Sequence, residues 1–347
     1  MHETPLFLDG LWYFAAASRE IAAGSRSRRV LFGEPIVFGR TKAGAAFALH
    51  DVCPHRGAPL SAGRLLESDA APRLACPYHG WAFRIEDGVC ADIPALSREA
   101  EFAVEKIRVR RFPLHEDRGL VWLYLGEGAP PPAPDIGLPD SARPEIVTRV
   151  SAAAPFDEAV IGLIDPAHTP FVHKQWWWRE GAGLKEKVKT FEPTALGFRM
   201  PPHRPSSNSR IYRFLGGAPT TEIEFRLPSL RFERVRAGDR TILGVQAVTP
   251  TEPGRVDIVN CLFWDLPALS LFKPFLRGMA SSFLGQDGAI LDAQNANLSR
   301  APHRPLYAGD PDELAKWYLR LKRAWASRAE TGGFVNPIAP ATLRWRT

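Results

Sequence analysis

The apolar and polar positions divide the chain into two halves of different character. From Leu11 the apolar residues come in short runs, Leu11-Trp12-Tyr13-Phe14, Val30-Leu31-Phe32, Ile36-Val37-Phe38 and Ala46-Phe47-Ala48-Leu49, separated by Gly-Glu-Pro and Lys-Ala-Gly turns. Runs this short, punctuated by Gly and Pro, predict a small all-β domain. Phe83 to Gly88 carries a hairpin signal, Asp92-Ile93-Pro94-Ala95 is a proline-bearing loop, and the run from Gly119 to Leu125 reads as the strand that closes the domain.

Residues 127–144 are rich in Pro, Gly and Ala, a composition that favours an extended connector. The domain boundary is placed there, giving residues 1–135 and 136–347. From Pro155 the pattern turns helical through Phe156, Val160, Leu163 and Ile164. Residues 222–227, 241–248 and 255–264 then read as strands separated by Ala237-Gly238-Asp239 and Glu252-Pro253-Gly254 turns, which predicts an antiparallel meander. Two helices follow, over 272–291 and from Asp312 to about Arg328. The second carries Leu314, Trp317, Leu321, Ala324 and Trp325 on one face, with Lys316, Arg320 and Arg323 mostly opposite. Docking on the protein's own core is the simplest use of that apolar face. The fold class predicted is α+β.

Length and composition fit this picture. The 347 residues make about two domains at roughly 150 residues each, and 45% hydrophobic with 24% charged residues reads as an ordinary globular protein. The net charge of +6 comes from scattered basic residues; Arg26-Ser27-Arg28-Arg29 reads as a solvated turn rather than a nucleic-acid site. A mild positive field suits an acidic electron-transfer partner. Met1-His2-Glu3-Thr4-Pro5 has no secretory pattern, and no apolar run approaches the roughly 20 residues of a membrane span, so a cytoplasmic protein is expected.

The candidate chemistry sits in two places. Of four cysteines, Cys90 and Cys261 look like small buried residues. Cys53-Pro54-His55-Arg56-Gly57 and Cys76-Pro77-Tyr78-His79-Gly80-Trp81 each supply one thiol and one imidazole. Such a set could hold zinc, or a [2Fe–2S] cluster with both thiolates on one iron and both imidazoles on the other. Classical zinc fingers pair Cys with Cys and His with His; one Cys and one His per loop favours the cluster, and the Pro and Gly residues let backbone N–H groups approach sulfur. Further on stands Asp165-x-x-His168-x4-His173. Two imidazoles and a carboxylate form the facial set for non-haem Fe(II). Residues five apart lie roughly 140° apart on a helix, and Pro170 is expected to distort it.

The two Cys/His loops, with His55-Arg56-Gly57 and His79-Gly80-Trp81, resemble those of Rieske proteins. Twenty residues separate His55 from Cys76, a few more than the usual pattern, and the excess falls in 66–73. From Trp12-Tyr13 to the C-terminal helices the chain resembles the catalytic α-subunit of Rieske non-haem iron oxygenases. That resemblance implies an all-β Rieske domain followed by a helix-grip catalytic domain. It implies a [2Fe–2S] cluster on Cys53, His55, Cys76 and His79, and mononuclear Fe(II) on His168, His173 and Asp287, with Asp292 the competing third ligand. Asp165 matches the aspartate that contacts a cluster histidine of the neighbouring subunit, and Gly162 stands where many relatives have Asn. A homotrimer and the use of O2 are also implied. No Gly-rich stretch follows a strand in the dinucleotide fingerprint manner, which points to a separate reductase, with or without a ferredoxin. Mostly apolar helices with few charges near the proposed iron suggest a hydrophobic, ring-containing substrate. Gln175-Trp176-Trp177-Trp178-Arg179 is a candidate for lining the pocket or an interface. The wording around His168 looks more like the monooxygenase and demethylase branch than the cis-dihydroxylating dioxygenases. Two rivals from other classes are an electron-transfer Rieske protein without a working second iron, and a zinc-binding interaction protein.

Overall fold

The computed structural model describes residues 7–67, 71–97, 99–173, 185–204, 218–301 and 305–347. The chain divides into two compact units: Gly10–Pro134 with Thr251–Pro253, and Asp135–Pro250 with Gly254–Thr347 and the segment ending at Asp9.

Among the described residues the smaller unit holds ten strands: β1 (Leu11–Ala17), β2 (Arg26–Leu31), β3 (Glu34–Arg40), β4 (Ala46–His50), β5 (Arg64–Leu66), β6 (Arg73–Ala75), β7 (Ala82–Arg84), β8 (Cys90–Asp92), β9 (Leu114–Asp117) and β10 (Leu120–Leu125). They form three antiparallel sheets, ordered β1-β10-β9, β2-β3-β4 and β5-β6-β7-β8. Both β1 and β10 are almost continuously apolar and buried, so their side chains fill the interior on both faces. Phe14 meets Trp122 edge-on at 5.9 Å. Val37, Leu49, Leu74 and Phe83 share one core with Cys53, Cys76 and Cys90, which gives the two ligand loops a packed base. The basic run is corrected from a turn to strand β2, whose pairing with β3 runs from Arg26↔Gly39 to Leu31↔Glu34. Two of its arginines find partners beside the strand: Arg29 donates to the Ala15 carbonyl at 3.0 Å and meets Glu20 at 3.2 Å, and Arg28 lies 3.9 Å from Asp51.

The larger unit holds β11 (Ile146–Ala153), β12 (Glu186–Thr194), β13 (Gly197–His203), β14 (Thr220–Arg226), β15 (Leu230–Ala237), β16 (Arg240–Pro250), β17 (Arg255–Trp264) and β18 (Ala341–Arg346). They make one eight-stranded antiparallel sheet, ordered β11-β17-β16-β15-β14-β13-β12-β18. The predicted meander is its β14 to β17 section, with β15 inserted between the first two expected strands. Helices α1 (Phe156–Ile164), α2 (Thr169–Val172), α3 (Pro267–Ser270), α4 (Lys273–Arg300) and α5 (Glu313–Ala326) complete the unit, and the whole is α+β as expected. Helix α4 runs nine residues beyond the predicted end because Asp292 to Arg300 contains no Gly or Pro to stop it, although little of it is apolar.

Helix α5 docks as its pattern implied: Trp317 lies edge-on to Phe191 and Phe198, and Tyr318 to Phe225. Lys322, only 3% exposed, is held by the Asp157 carboxylate of α1 at 2.7 Å, and the Tyr318 hydroxyl donates to the same group at 2.6 Å. A buried ammonium needs such a partner, so this cluster ties α5 to α1. Among the described residues no helix is long and apolar enough to cross a membrane.

Helix α4 lies on β11 and β17. At the crossing stands Gly288, where a Cβ would come within 2.8 Å of Val150 Cγ2. Val150 is β-branched and stiff at χ1, so the helix approaches the sheet this closely because position 288 has no side chain. Overpacking of this kind costs about 1–3 kcal/mol. Gly288→Val is therefore expected to lower the stability read from a urea midpoint by about 2 kcal/mol, with part of the loss recovered when Val150→Ala is added. Additive losses in the double variant would show that the two positions do not meet.

Candidate functional site

The Cys/His loops fold alike. Cys53 N–H donates to the Ala58 carbonyl at 2.9 Å and Gly57 N–H to the Cys53 carbonyl at 2.8 Å; Cys76 N–H donates to the Trp81 carbonyl at 2.8 Å and Gly80 N–H to the Cys76 carbonyl at 3.1 Å. Gly57 and Gly80 both sit at positive φ, 73° and 74°, a conformation that favours glycine. The frame thus repeats residue for residue, with the histidine third in the first loop and fourth in the second.

This frame buries the thiols, Cys53 at 1% exposure and Cys76 at 5%, and sets the imidazoles side by side, with ring centroids 4.6 Å apart. Trp81 stacks on His55 at 4.5 Å and Tyr78 packs on His79 at 3.8 Å. Burial pushes the Cys53 thiol up to about 11, with the neighbouring Cys76 adding to the rise and the His55 backbone N–H opposing it. Such a thiol is a poor free nucleophile but becomes a thiolate when a metal displaces its proton. His79 Nδ1 is buried with no partner among the described residues. The donor set of two inward thiols and two adjacent imidazoles fits a two-iron cluster. Cys90 is buried in the same core and donates to the Asp92 carbonyl at 3.5 Å.

The second constellation lies in the larger unit. Helix α1 stops at Ile164, and Asp165 turns extended with ψ 120°. Its carboxylate accepts from Ala167 N–H at 2.7 Å, so it caps a turn. Pro170 stands inside the four-residue α2, with His168 immediately before that helix and His173 immediately after it. The break removes the helical geometry that would have set the two histidines apart, and their ring centroids lie 5.3 Å from each other.

Asp287 completes the group. Its Oδ1 is 3.4 Å from His173 Nε2 and 3.7 Å from His168 Nε2, and one ligand atom from each residue lies within 4.8 Å of the others. Asp292 does not reach this point: it is exposed, and its Oδ1 accepts from Ala153 N–H at 2.6 Å. His173 Nδ1 lies 3.2 Å from Gln286 Oε1, an acceptor, which makes Nδ1 the protonated nitrogen and leaves the Nε2 lone pair for a metal. On His168, Nδ1 faces Asp165 Oδ2 at 3.6 Å. Phe283 stacks on His173 at 3.5 Å. Sequence reasoning did not single out Gln286 or Phe283, although both stand on α4 within four residues of Asp287.

Buried, unpartnered imidazole nitrogens cost about 1–3 kcal/mol each. His173 Nε2 is such an atom among the described residues. Standing 3.4 Å from the Asp287 carboxylate, with His168 Nε2 3.7 Å from the same oxygen, it suits an ion. Burial raises Asp287 to about 6 and lowers His173 to about 4, where the charge of His168 adds to the fall. Burial also pulls His168 down, but the carboxylates of Asp165 and Asp287 more than offset it, and the net shift is upward. The site opens into a cavity of about 260 Å³, walled by Phe191, Phe198, Met200, Phe225, Leu314 and Trp345 among others. The Trp176 to Trp178 block lies outside the described residues, as do residues 68–70 of the long loop before Cys76.

Residues 11–113 match the family model described as the Rieske [2Fe-2S] domain, and residues 162–328 that of the vanillate O-demethylase oxygenase C-terminal domain. The chain belongs to the Rieske non-haem iron oxygenases. Chlorophyllide a oxygenase of Chlamydomonas reinhardtii is 33% identical over 54% of the chain and 28% of its own length. The oxygenase subunit of 3-chlorobenzoate-3,4-dioxygenase from Comamonas testosteroni is 36% identical over 47% of the chain and 37% of its own. The chain thus spans about a third of the length of these curated relatives. A crystal structure of dicamba monooxygenase shares the fold, with a TM-score of 0.69 over 94% of this chain and 99% of that one at 22% identity.

For this Rieske-family chain the ionisation of Asp287 gives metal binding a direction with pH. A protonated carboxyl cannot ligate, and neither can a protonated His168, so acid weakens binding. In the metal-free protein, Co(II) affinity measured calorimetrically is expected to fall about tenfold or more per pH unit below about 6, one factor of ten for each proton displaced. An affinity flat across that window would contradict the placement of Asp287 at the metal.

Proposed function

We propose that the chain is the terminal oxygenase component of a multicomponent Rieske system, taking O2 and externally supplied electrons to hydroxylate or oxidatively demethylate a hydrophobic ring-containing substrate. The single observation that carries this reading is the convergence of His168, His173 and Asp287 at the mouth of a largely apolar cavity, in a chain that also carries a Rieske [2Fe-2S] domain. An electron-transfer protein has no use for the second set.

In this reading Cys53, His55, Cys76 and His79 hold the cluster, and His168, His173 and Asp287 hold Fe(II). Iron bound there supplies activation of O2 with electrons relayed from the cluster. The chain's own groups do the remaining work. Gln286 fixes the tautomer of His173, and Asp165 fixes that of His168. Phe283 holds the His173 ring in plane against α4. The aromatic wall of Phe191, Phe198 and Phe225 excludes water and favours a flat apolar guest.

Electrons come from a separate reductase, with or without a ferredoxin. A structure of the reduced oxygenase–ferredoxin complex of carbazole 1,9a-dioxygenase, with a TM-score of 0.66 to this chain, supports a donor of that kind. We further infer a cytoplasmic homotrimer in which Asp165 faces the cluster of the adjacent subunit. Demethylation or monohydroxylation is favoured over cis-dihydroxylation by the vanillate O-demethylase type of the C-terminal domain.

Protein purified without oxygen is expected to contain about three irons and two acid-labile sulfides per chain. His168→Ala should keep about two irons and the cluster's spectrum while losing substrate-coupled O2 consumption. A His168→Ala protein that retains the third iron, or turnover, would overturn the assignment.

A further inference from the structure

One end of the catalytic cavity has a chemistry that neither the metal nor the apolar wall explains. Strands β12 and β18 pair there in the register Lys187↔Trp345 and Lys189↔Leu343. Lys187, Lys189 and Trp345 all line the cavity. Lys189 and Phe191 are two residues apart on one strand, so they share the face turned toward it.

Trp345 is 6% exposed, and its indole Nε1 is buried with no partner among the described residues. An indole N–H can only donate, so a buried one without an acceptor is a loss of about 1–3 kcal/mol that a ligand oxygen would recover. Lys189 is half-buried, and among the described residues no carboxylate lies within ion-pair distance of it. Burial and the charge of Lys187 both push its ammonium below the usual lysine range, the signature of a cation short of a counter-charge. His203 is pushed down mainly by burial, with the charge of Lys189 adding to the fall and Glu233 opposing it. Of the other charges lining the cavity, Glu233 is paired with Arg231 at 3.0 Å, and Asp165 and Asp287 belong to the metal site.

We propose that Lys189 and the Trp345 indole N–H receive an anionic oxygen of the substrate, so that the substrate is an apolar ring-containing acid, with its carboxylate at the β12–β18 end and its ring against Phe191, Phe198 and Phe225. The reading rests on this cavity being the substrate site of the oxygenase proposed above. A carboxylate satisfies both groups at once, by a charge-assisted hydrogen bond from the ammonium and a neutral one from the indole. A neutral apolar molecule leaves both unsatisfied. The two residues are therefore specificity determinants that act on substrate binding and not on the metal.

The test uses iron-loaded protein without oxygen or reductant, with benzoate and methyl benzoate as probes in calorimetric titration and thermal unfolding. Benzoate is expected to bind about tenfold or more tighter than its ester. Lys189→Met, which keeps chain length and removes the charge, should erase that preference while leaving ester binding and iron content unchanged. Trp345→Phe, which keeps the ring and removes the donor, should reduce it by several-fold, and Lys189→Arg should preserve it. Equal binding of acid and ester by the unaltered protein would overturn the proposal. So would a benzoate preference that survives Lys189→Met, because the carboxylate would then be bound at the iron. Absence of the third iron alongside an intact Lys189-dependent preference would instead count against the oxygenase reading and leave the anion site standing.

Discussion

The close approach of α4 to the sheet is the constraint on which the larger unit depends. Gly288 removes the one side chain that would hold helix and strand apart at Val150. The residues just before it are thereby brought over the sheet: Phe283 onto the His173 ring, Gln286 to its Nδ1, and Asp287 to its Nε2. Three contacts to one imidazole come from consecutive turns of one helix. A small outward shift of α4 would disturb all of them together, which is why a glycine with no chemistry of its own matters to the candidate metal site.

The two histidines of that site are not equivalent. His173 is backed by the neutral amide of Gln286, whereas His168 is backed by the carboxylate of Asp165. A carboxylate acceptor raises the basicity of an imidazole more than an amide does. Burial lowers both rings, and their opposite net shifts follow that difference together with the charge of His168, which pushes His173 down further. The same Asp165 carboxylate spends its other oxygen on the turn that ends α1. Its position is therefore fixed by the backbone, and a change at Asp165 acts on the fold of the α1–α2 junction as well as on His168.

Much of this was legible in the sequence, and the parts that were not share a cause. The ligand loops could be read because Cys, His, Pro and Gly at fixed spacing have few other uses, and the structure sets the paired thiols and imidazoles as that spacing implies. The meander was legible from turn residues, but β15 was not. Leu230-Arg231-Phe232-Glu233-Arg234-Val235 alternates well enough, yet its charged residues pair across the sheet, as Arg234 does with Glu222 and Arg231 with Gln246, and the sequence alone does not show the partners. Strands β12 and β18 pair residues from Glu186↔Arg346 to Phe191↔Ala341, far apart along the chain, a relation no local pattern carries. Gln286 was invisible for the same reason: a glutamine on a helix means nothing until the imidazole 113 residues away is seen beside it.

The cluster loops make a related point about how one backbone frame yields an asymmetric site. Each loop spends its first residue on an inward thiol and its fifth on a glycine at positive φ, so the hydrogen-bonded turn is the same in both. Only the histidine is displaced, by one residue, and in the second loop its former place is taken by Tyr78, 59% exposed. An aromatic ring left that far in solvent is costly unless something covers part of it, and its own contact with His79 covers one face. Trp81 covers His55 in the first loop's case. Each imidazole is thus covered on one face by an aromatic ring of the second loop, and both histidines are half-buried, while the thiols are fully buried by the core beneath.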